Sequence, residues 1–275
     1  MPPRNKLPSS PSLVERFRAT RDKAAPRSLI ASATASNYRP NLKDAAASEA
    51  RFRGDNPTDG SALQMVEKID LVLFDMDNVL CRYDRWARAA RLAEISGNTK
   101  EEIHRTIWES GFERSGDNGT LTAAEYLQGF GRRIGYPLTL EEWLDARRAS
   151  TEPDHGMLDL VRQLRGSVGI AVLTNNSELV ADHIDVLCPE LRPLFGRRIY
   201  ASARFGSAKP DVACYQRCVA ELRVKPQTVL FVDDLAENIT GAKSAGLHAH
   251  HFVSVDAFRT SLAHYDLPAP PKASR

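Results

Sequence analysis

Two aspartates one residue apart, Asp75 and Asp77, close the apolar run Leu71-Val-Leu-Phe-Asp-Met-Asp-Asn-Val-Leu80. The run is long enough for one buried strand and short for a typical helix. Asp75 therefore falls at the strand's carboxyl end, where open α/β sheets place their ligand crevice, and Asp77 falls just past it. Like charges this close resist joint ionisation. A metal ion or a proton-transfer reaction would use such a pair.

Three later segments also end in polar groups. Val168-Gly-Ile-Ala-Val-Leu-Thr174 is followed by Asn175-Asn176-Ser177 and a helix start. A hydroxyl with backbone N–H groups there suits a phosphate, and equally suits plain helix capping. Lys209 lies in Gly206-Ser-Ala-Lys-Pro-Asp211, with Pro210 at the first turn of the next helix, where its missing N–H costs little. A lysine at that point can set a compact cation against a phosphate or can simply be solvated. Thr228-Val-Leu-Phe-Val232 ends in Asp233 and Asp234, with Asn238 shortly after. One acid could cap the helix beginning near Leu235; two exceed what a cap needs. Together the tips bring Asp-x-Asp, Thr, Lys and Asp-Asp to one end of one sheet. Four carboxylates there need a cation, and all-oxygen ligation suits Mg²⁺.

The elements that would hold these residues alternate. Strands are expected over 69–74, 168–174, 198–202, 228–232 and 248–253, with helices over 155–166, 176–187, 210–223, 236–245 and 255–264. Such alternation predicts an α/β fold, a Rossmann-like parallel sheet with helices on both faces. Between the first strand and the helix at 155 lie about 80 residues without a strand signal. They read as helices over 84–96, 99–111, 122–134 and 139–149, with capping boxes at Thr122…Glu125 and Thr139…Glu142 and breaks at Ser96-Gly-Asn98, Ser115-Gly-Asp-Asn-Gly119 and Tyr136-Pro137. A helical insert starting right after the acidic tip should sit over it as a lid. The expected organisation is a disordered extension over 1–64, a core over 65–81 and 155–265, a helical cap over 82–154, and a flexible tail over 266–275.

The 275 residues suffice for a sizeable core, and 42% hydrophobic and 26% charged residues are ordinary for a globular protein. No apolar run reaches the ~18 residues of a membrane span, and no apolar stretch near the N-terminus resembles a secretory signal. In residues 1–64, 11 Lys/Arg against 6 Asp/Glu give +5, while the remainder carries −3. The basic balance thus comes from the leader and does not point to nucleic acid. The leader carries a weak helix pattern over 11–23. Its Arg, Ser and Ala fit a targeting peptide, but its six acids do not. Met65 would serve as an alternative start. Cys81, Cys188, Cys214 and Cys218 lack metal-ligand spacing and read as reduced thiols, which suits a cytoplasmic protein.

With these motifs in order, the sequence resembles the haloacid dehalogenase (HAD) superfamily of phosphohydrolases. Asp75-Met-Asp77-Asn-Val-Leu matches its first motif, Thr174 the second, Lys209 in Lys-Pro-Asp the third, and Asp233-Asp234 with Asn238 the fourth, across about residues 69–253. The insert stands where the family's C1 cap lies. Asn78, and Glu113 to Tyr126 with Gly119-Thr-Leu-Thr, resemble the subfamily IA branch that holds small sugar-phosphate phosphatases. The resemblance implies Asp75 as a nucleophile forming an aspartyl-phosphate, and Asp77 as general acid and then general base. It implies Mg²⁺ held by the Asp75 carboxylate, the Asp77 carbonyl and Asp234, with Asp233 behind them or bridged by water. Thr174, the Asn175 N–H and Lys209 would take the phosphoryl oxygens, with Asn238 in support.

The implied partner is a small phosphorylated metabolite. A phosphomutase shares all four motifs, and a haloacid dehalogenase would use Asp75 without needing Asp77 or Asp234. A catalytically silent binding relative is a rival of a different class. A signalling receiver domain has its acid pair first and its lysine last, the reverse of the order here. In the insert, Arg85, Trp86, Arg88, Trp108, Phe112 and Glu113 could face substrate or could pack between helices.

Overall fold

The computed structural model describes residues 68–268. The expected extension over 1–64, its weak helix, Met65 and the tail beyond Pro268 lie outside the described residues. Five parallel strands form the sheet: β1 (Leu71–Phe74), β4 (Gly169–Thr174), β5 (Ile199–Ala201), β6 (Val229–Asp233) and β7 (His248–His251), in spatial order β5-β4-β1-β6-β7. The central strand β1 is buried at every residue, as expected of a parallel strand covered on both faces. Strand alternation divides the core. Val72 and Phe74 join one apolar cluster with Val172 and Val232, and Leu71 and Leu73 join the other with Leu173 and Phe231. This is the Rossmann-like α/β architecture expected.

The insert leaves and rejoins the sheet through an antiparallel ribbon of β2 (Cys81–Tyr83) and β3 (Thr151–Pro153). Three residues per strand are too few for a period, so the ribbon has no sequence signal. Between them run α1 (Arg85–Ser96), α2 (Lys100–His104) continuing into a π-helical turn (Arg105–Glu109), α3 (Phe112–Asp117), α4 (Ala123–Arg133) and α5 (Leu140–Ala149). Both expected capping boxes form, and Thr99 with Glu102 makes a third. Helix α3 runs through Gly116, which reads in sequence as part of a break. The glycine is there for contact: a Cβ would lie 2.6 Å from the Tyr126 ring.

Three further expectations need correction. The helix expected over 176–187 is two pieces, α7 (Glu178–Asp182) and α8 (Ile184–Leu187), parted at His183, whose φ −112° and ψ 24° leave the helical region. An extra helix, α9 (Leu191–Phe195), follows and takes Pro193 in its first turn, where proline is tolerated. Pro210 does not lie in the first turn of α10 (Val212–Leu222). Asp211 is the N-cap, accepting from the Ala213 N–H at 3.0 Å, so Pro210 stands one residue before the cap.

The remaining helices are α6 (His155–Leu164), α11 (Ala236–Ser244) and α12 (Val255–Ser261). Helix α11 fixes the loop before α10 by close approach. A Cβ on Gly241 would collide with the Pro210 carbonyl oxygen and lie 2.9 Å from the Pro210 Cβ. Gly241→Ala should therefore destabilise the fold by about 1–3 kcal/mol, the usual cost of overpacking, read as a lower denaturant midpoint at unchanged slope.

Candidate active site

Register places the site. Phe74 pairs with Val172 on one side and Val232 on the other, so three strands end within two residues of one another. Asp75 extends β1 by one residue, its N–H donating to the Val232 carbonyl at 2.8 Å. The Asp75 Oδ1 accepts from the Met76 N–H at 2.7 Å and from the Lys209 ammonium at 2.8 Å. The same Nζ lies 2.7 Å from the Asp233 Oδ2. Asp233 is wholly buried, and the Asn238 Nδ2 donates to both its oxygens at 3.0 Å while the Leu235 N–H donates to its Oδ1 at 2.8 Å. Asp233 is thus tied inward by the lysine, the Asn238 amide and a backbone N–H.

Lys209 is only 4% exposed, and Asn175 fixes its backbone. The Lys209 N–H donates to the Asn175 Oδ1 at 2.9 Å, and the Asn175 Nδ2 donates back to the Lys209 carbonyl at 2.8 Å. Thr174 is buried at the end of β4, and its hydroxyl oxygen accepts from the Asn176 Nδ2 at 2.8 Å. The Thr174 O–H therefore remains a donor. Asp234 is partly exposed, and its Oδ2 accepts from the Asn78 Nδ2 at 3.3 Å. Asn78 takes a left-handed conformation, φ 63°, which asparagine tolerates. That conformation lets the chain after Asp77 turn back beside Asp234.

Carboxylate oxygens of Asp75, Asp233 and Asp234 lie within 4.8 Å of one another. Burial pushes the Asp75 carboxyl above its ordinary value, with Lys209 opposing and Asp233 reinforcing the shift. Burial and then Asp233 push Asp234 up as well. Lys209 stays charged: burial disfavours its ammonium, but Asp75 and Asp233 outweigh that and raise its pKa. One ammonium against three carboxylates leaves net negative charge, and an all-oxygen donor set suits a hard divalent cation.

Asp77 sends its carboxylate toward the insert. Both its oxygens accept from the Arg147 Nη2, at 2.8 and 2.7 Å, and the Asn176 Nδ2 lies 3.4 Å from Oδ2. Arg147, near the end of α5, is 1% exposed, and its guanidinium lies 3.9 Å over the Tyr83 ring. The Tyr83 hydroxyl meets the Arg88 Nη1 at 3.3 Å, and that nitrogen is 3.5 Å from Glu113. Glu113 in turn accepts from the Tyr126 hydroxyl at 2.7 Å. Burial, then Glu113, pushes Asp117 up nearby. Arg88 is enclosed by the rings of Trp143, Phe130 and Trp108. Of the other insert residues singled out in sequence, Phe112 stacks on Tyr126, while Trp86 is 48% exposed and stacks on His104.

Arg147 escapes motif reading, yet it leaves a trace. It stands four residues after Trp143 on the buried stripe of α5 with Ala146, and an arginine on an apolar stripe requires a partner.

Residues 69–246 match the family model for haloacid dehalogenase-like hydrolase. The chain belongs to this family. It is 31% identical over 201 residues to a phosphatase of Mycobacterium tuberculosis, covering 66% of this chain and 86% of that one. It is 27% identical over 182 residues to a D-ribitol-5-phosphate phosphatase of Bacteroides thetaiotaomicron, covering 64% and 87%. A haloacid dehalogenase family enzyme from Bacteroides thetaiotaomicron, solved with magnesium and inorganic phosphate, shares the fold at TM-score 0.56 and 20% identity over 66% of this chain and 93% of that one. This chain is accordingly a phosphoric monoester hydrolase of the family.

An acid whose folded pKa is raised binds more protons folded than unfolded, so it costs stability once pH climbs above its unfolded value near ~4. Chelator-treated wild type should therefore lose stability relative to Asp75→Asn as pH climbs above about 4, measured by denaturation at each pH. A divalent cation should offset that loss in the wild type. Parallel pH curves for the two proteins would contradict the raised carboxyl.

Proposed function

We propose that the protein is a Mg²⁺-dependent phosphatase that hydrolyses a small phosphorylated metabolite, a sugar or polyol phosphate, through an aspartyl-phosphate. The observation that carries this reading is the Asp75 carboxylate, held on one oxygen by Lys209 and grouped with Asp233 and Asp234. The Asp75 Oδ2 makes neither of the contacts that hold Oδ1, and it is the oxygen suited to attack phosphorus. The ribitol-5-phosphate phosphatase among the relatives supports the substrate class.

Asp77 gives a proton to the departing alcohol, then takes one from the water that attacks the aspartyl-phosphate. Phosphate leaves and Asp75 is regenerated. The Thr174 O–H, the Asn175 N–H and the Lys209 ammonium bind the phosphoryl oxygens and offset repulsion between two anions. Asp75, Asp234 and the Asp77 carbonyl would hold Mg²⁺, with Asp233 behind them. Bound there, the ion would neutralise charge on the phosphoryl group. Helices α1–α5 act as a cap. Asp75 is 6% and Thr174 1% exposed, and movement of this cap would open the site to substrate. The four free cysteines are all buried, in keeping with a reducing compartment.

The test is phosphate release from a panel of sugar and polyol phosphates with Mg²⁺. Chelation should silence the enzyme, with Mg²⁺ restoring it, and Asp75→Asn should abolish turnover. Activity that survives chelation would refute the metal role. Isomerised product without free phosphate would indicate a mutase.

A further inference from the structure

A side chain of the cap reaches the reacting centre. Arg147 Nη2 holds both oxygens of Asp77, and the arginine is itself held on either side of the hinge ribbon. Its guanidinium lies over Tyr83 of the outgoing strand β2. Its carbonyl accepts from the Ser150 and Thr151 hydroxyls, at 2.7 and 2.9 Å, where the chain enters the return strand β3. The Arg147 Nε and Nη1 are buried without a hydrogen-bond partner. Burying an arginine this far is costly unless its charge is matched, and the Asp77 carboxylate supplies the match. The arginine is thus fixed to the cap side of the ribbon, whereas Asp77 follows directly from the core strand β1.

We propose that Arg147 is a positioning residue that holds the Asp77 carboxylate from the cap side, so that proton delivery to the leaving alcohol depends on the cap being seated. This rests on the role proposed above for Asp77. The proton balance is unchanged by Arg147: Asp77 loses its proton to the alkoxide oxygen as the P–O bond breaks, and regains one from the attacking water. Arg147 neither gives nor takes a proton. It sets where the carboxylate stands.

Leaving groups separate this role from a general structural one. An alkoxide needs a proton as it departs, whereas p-nitrophenolate is stable enough to leave without one. Arg147→Met should lower kcat/KM for glycerol phosphate by ~100-fold, the scale of an ångström-level misplacement, and change kcat/KM for p-nitrophenyl phosphate little. The readout is kcat/KM because it stops at the aspartyl-phosphate and leaves out the attack of water that both substrates share. Arg147→Lys, which keeps the charge but not the reach, should fall between. In an Asp77→Asn background the Arg147→Met change should have no further effect on glycerol phosphate. Equal losses on both substrates, or full additivity with Asp77→Asn, would overturn the proposal. If Arg147→Met fails to fold, the same two comparisons are made with Arg147→Lys and decide the matter in the same way. An inactive wild type would instead refute the phosphatase reading. An Asp77→Asn enzyme that treats both substrates alike would refute the role of Asp77.

Discussion

The site depends on one buried ammonium. Lys209 stands between Asp75 and Asp233 at 2.8 and 2.7 Å, in a region where an unpaired carboxylate would resist ionisation. Removing one member of such a buried pair costs about 3–5 kcal/mol, because the partner charge is stranded. The surrounding structure keeps the lysine in place. Asn175 clamps its backbone, Gly241 lets α11 press on the next residue, and the Phe231 ring lies 5.2 Å from the ammonium. Strand ends, a loop and a helix are all fitted to one cation.

Asp75 and Asp77 have neighbours of different kinds, although one residue separates them. Asp75 is held by the sheet and by Lys209, all within the core. Asp77 is held by Arg147 across the ribbon, and beyond Arg147 lie Tyr83, Arg88, Glu113 and Tyr126. The strand ends between the two carboxylates, and the turn over Met76 to Cys81 redirects the second one. Met76 anchors that turn, being fully buried and accepting at its carbonyl from the Leu80 and Cys81 N–H groups at 2.9 and 3.1 Å.

The core and its polar strand tips were legible in sequence because buried parallel strands are short apolar runs with abrupt ends. Asp75, Thr174 and Asp233 each stand at such an end, and Lys209 sits in a loop marked by proline. The insert was legible as helices through its Thr…Glu capping boxes. What stayed hidden depends on contacts distant in the chain. Arg147 attracts no motif until Asp77 is beside it, and Arg88, which in sequence could face substrate or pack between helices, is seen to be packed only once the rings of Trp143 and Phe130 are beside it. Gly116 reads as a break until Tyr126 is packed on it, and β2 and β3 are recognisable only as a pair.

That ribbon has a consequence of its own. Cys81 pairs with Pro153 and Tyr83 with Thr151, so the chain leaves the core and comes back at neighbouring points. Closing the long excursion from 84 to 150 costs only about 2–3 kcal/mol more than closing a short hairpin, since loop-closure entropy grows slowly with length. The segment is joined to the core through these two short strands and packs against it, Tyr126 and Trp143 sharing one apolar cluster with Val72 and Phe74. Its length and helix count can drift through insertion and deletion while the sheet keeps its register, and the core's chemistry can be fitted with a differently shaped chamber by changes confined to one stretch of sequence.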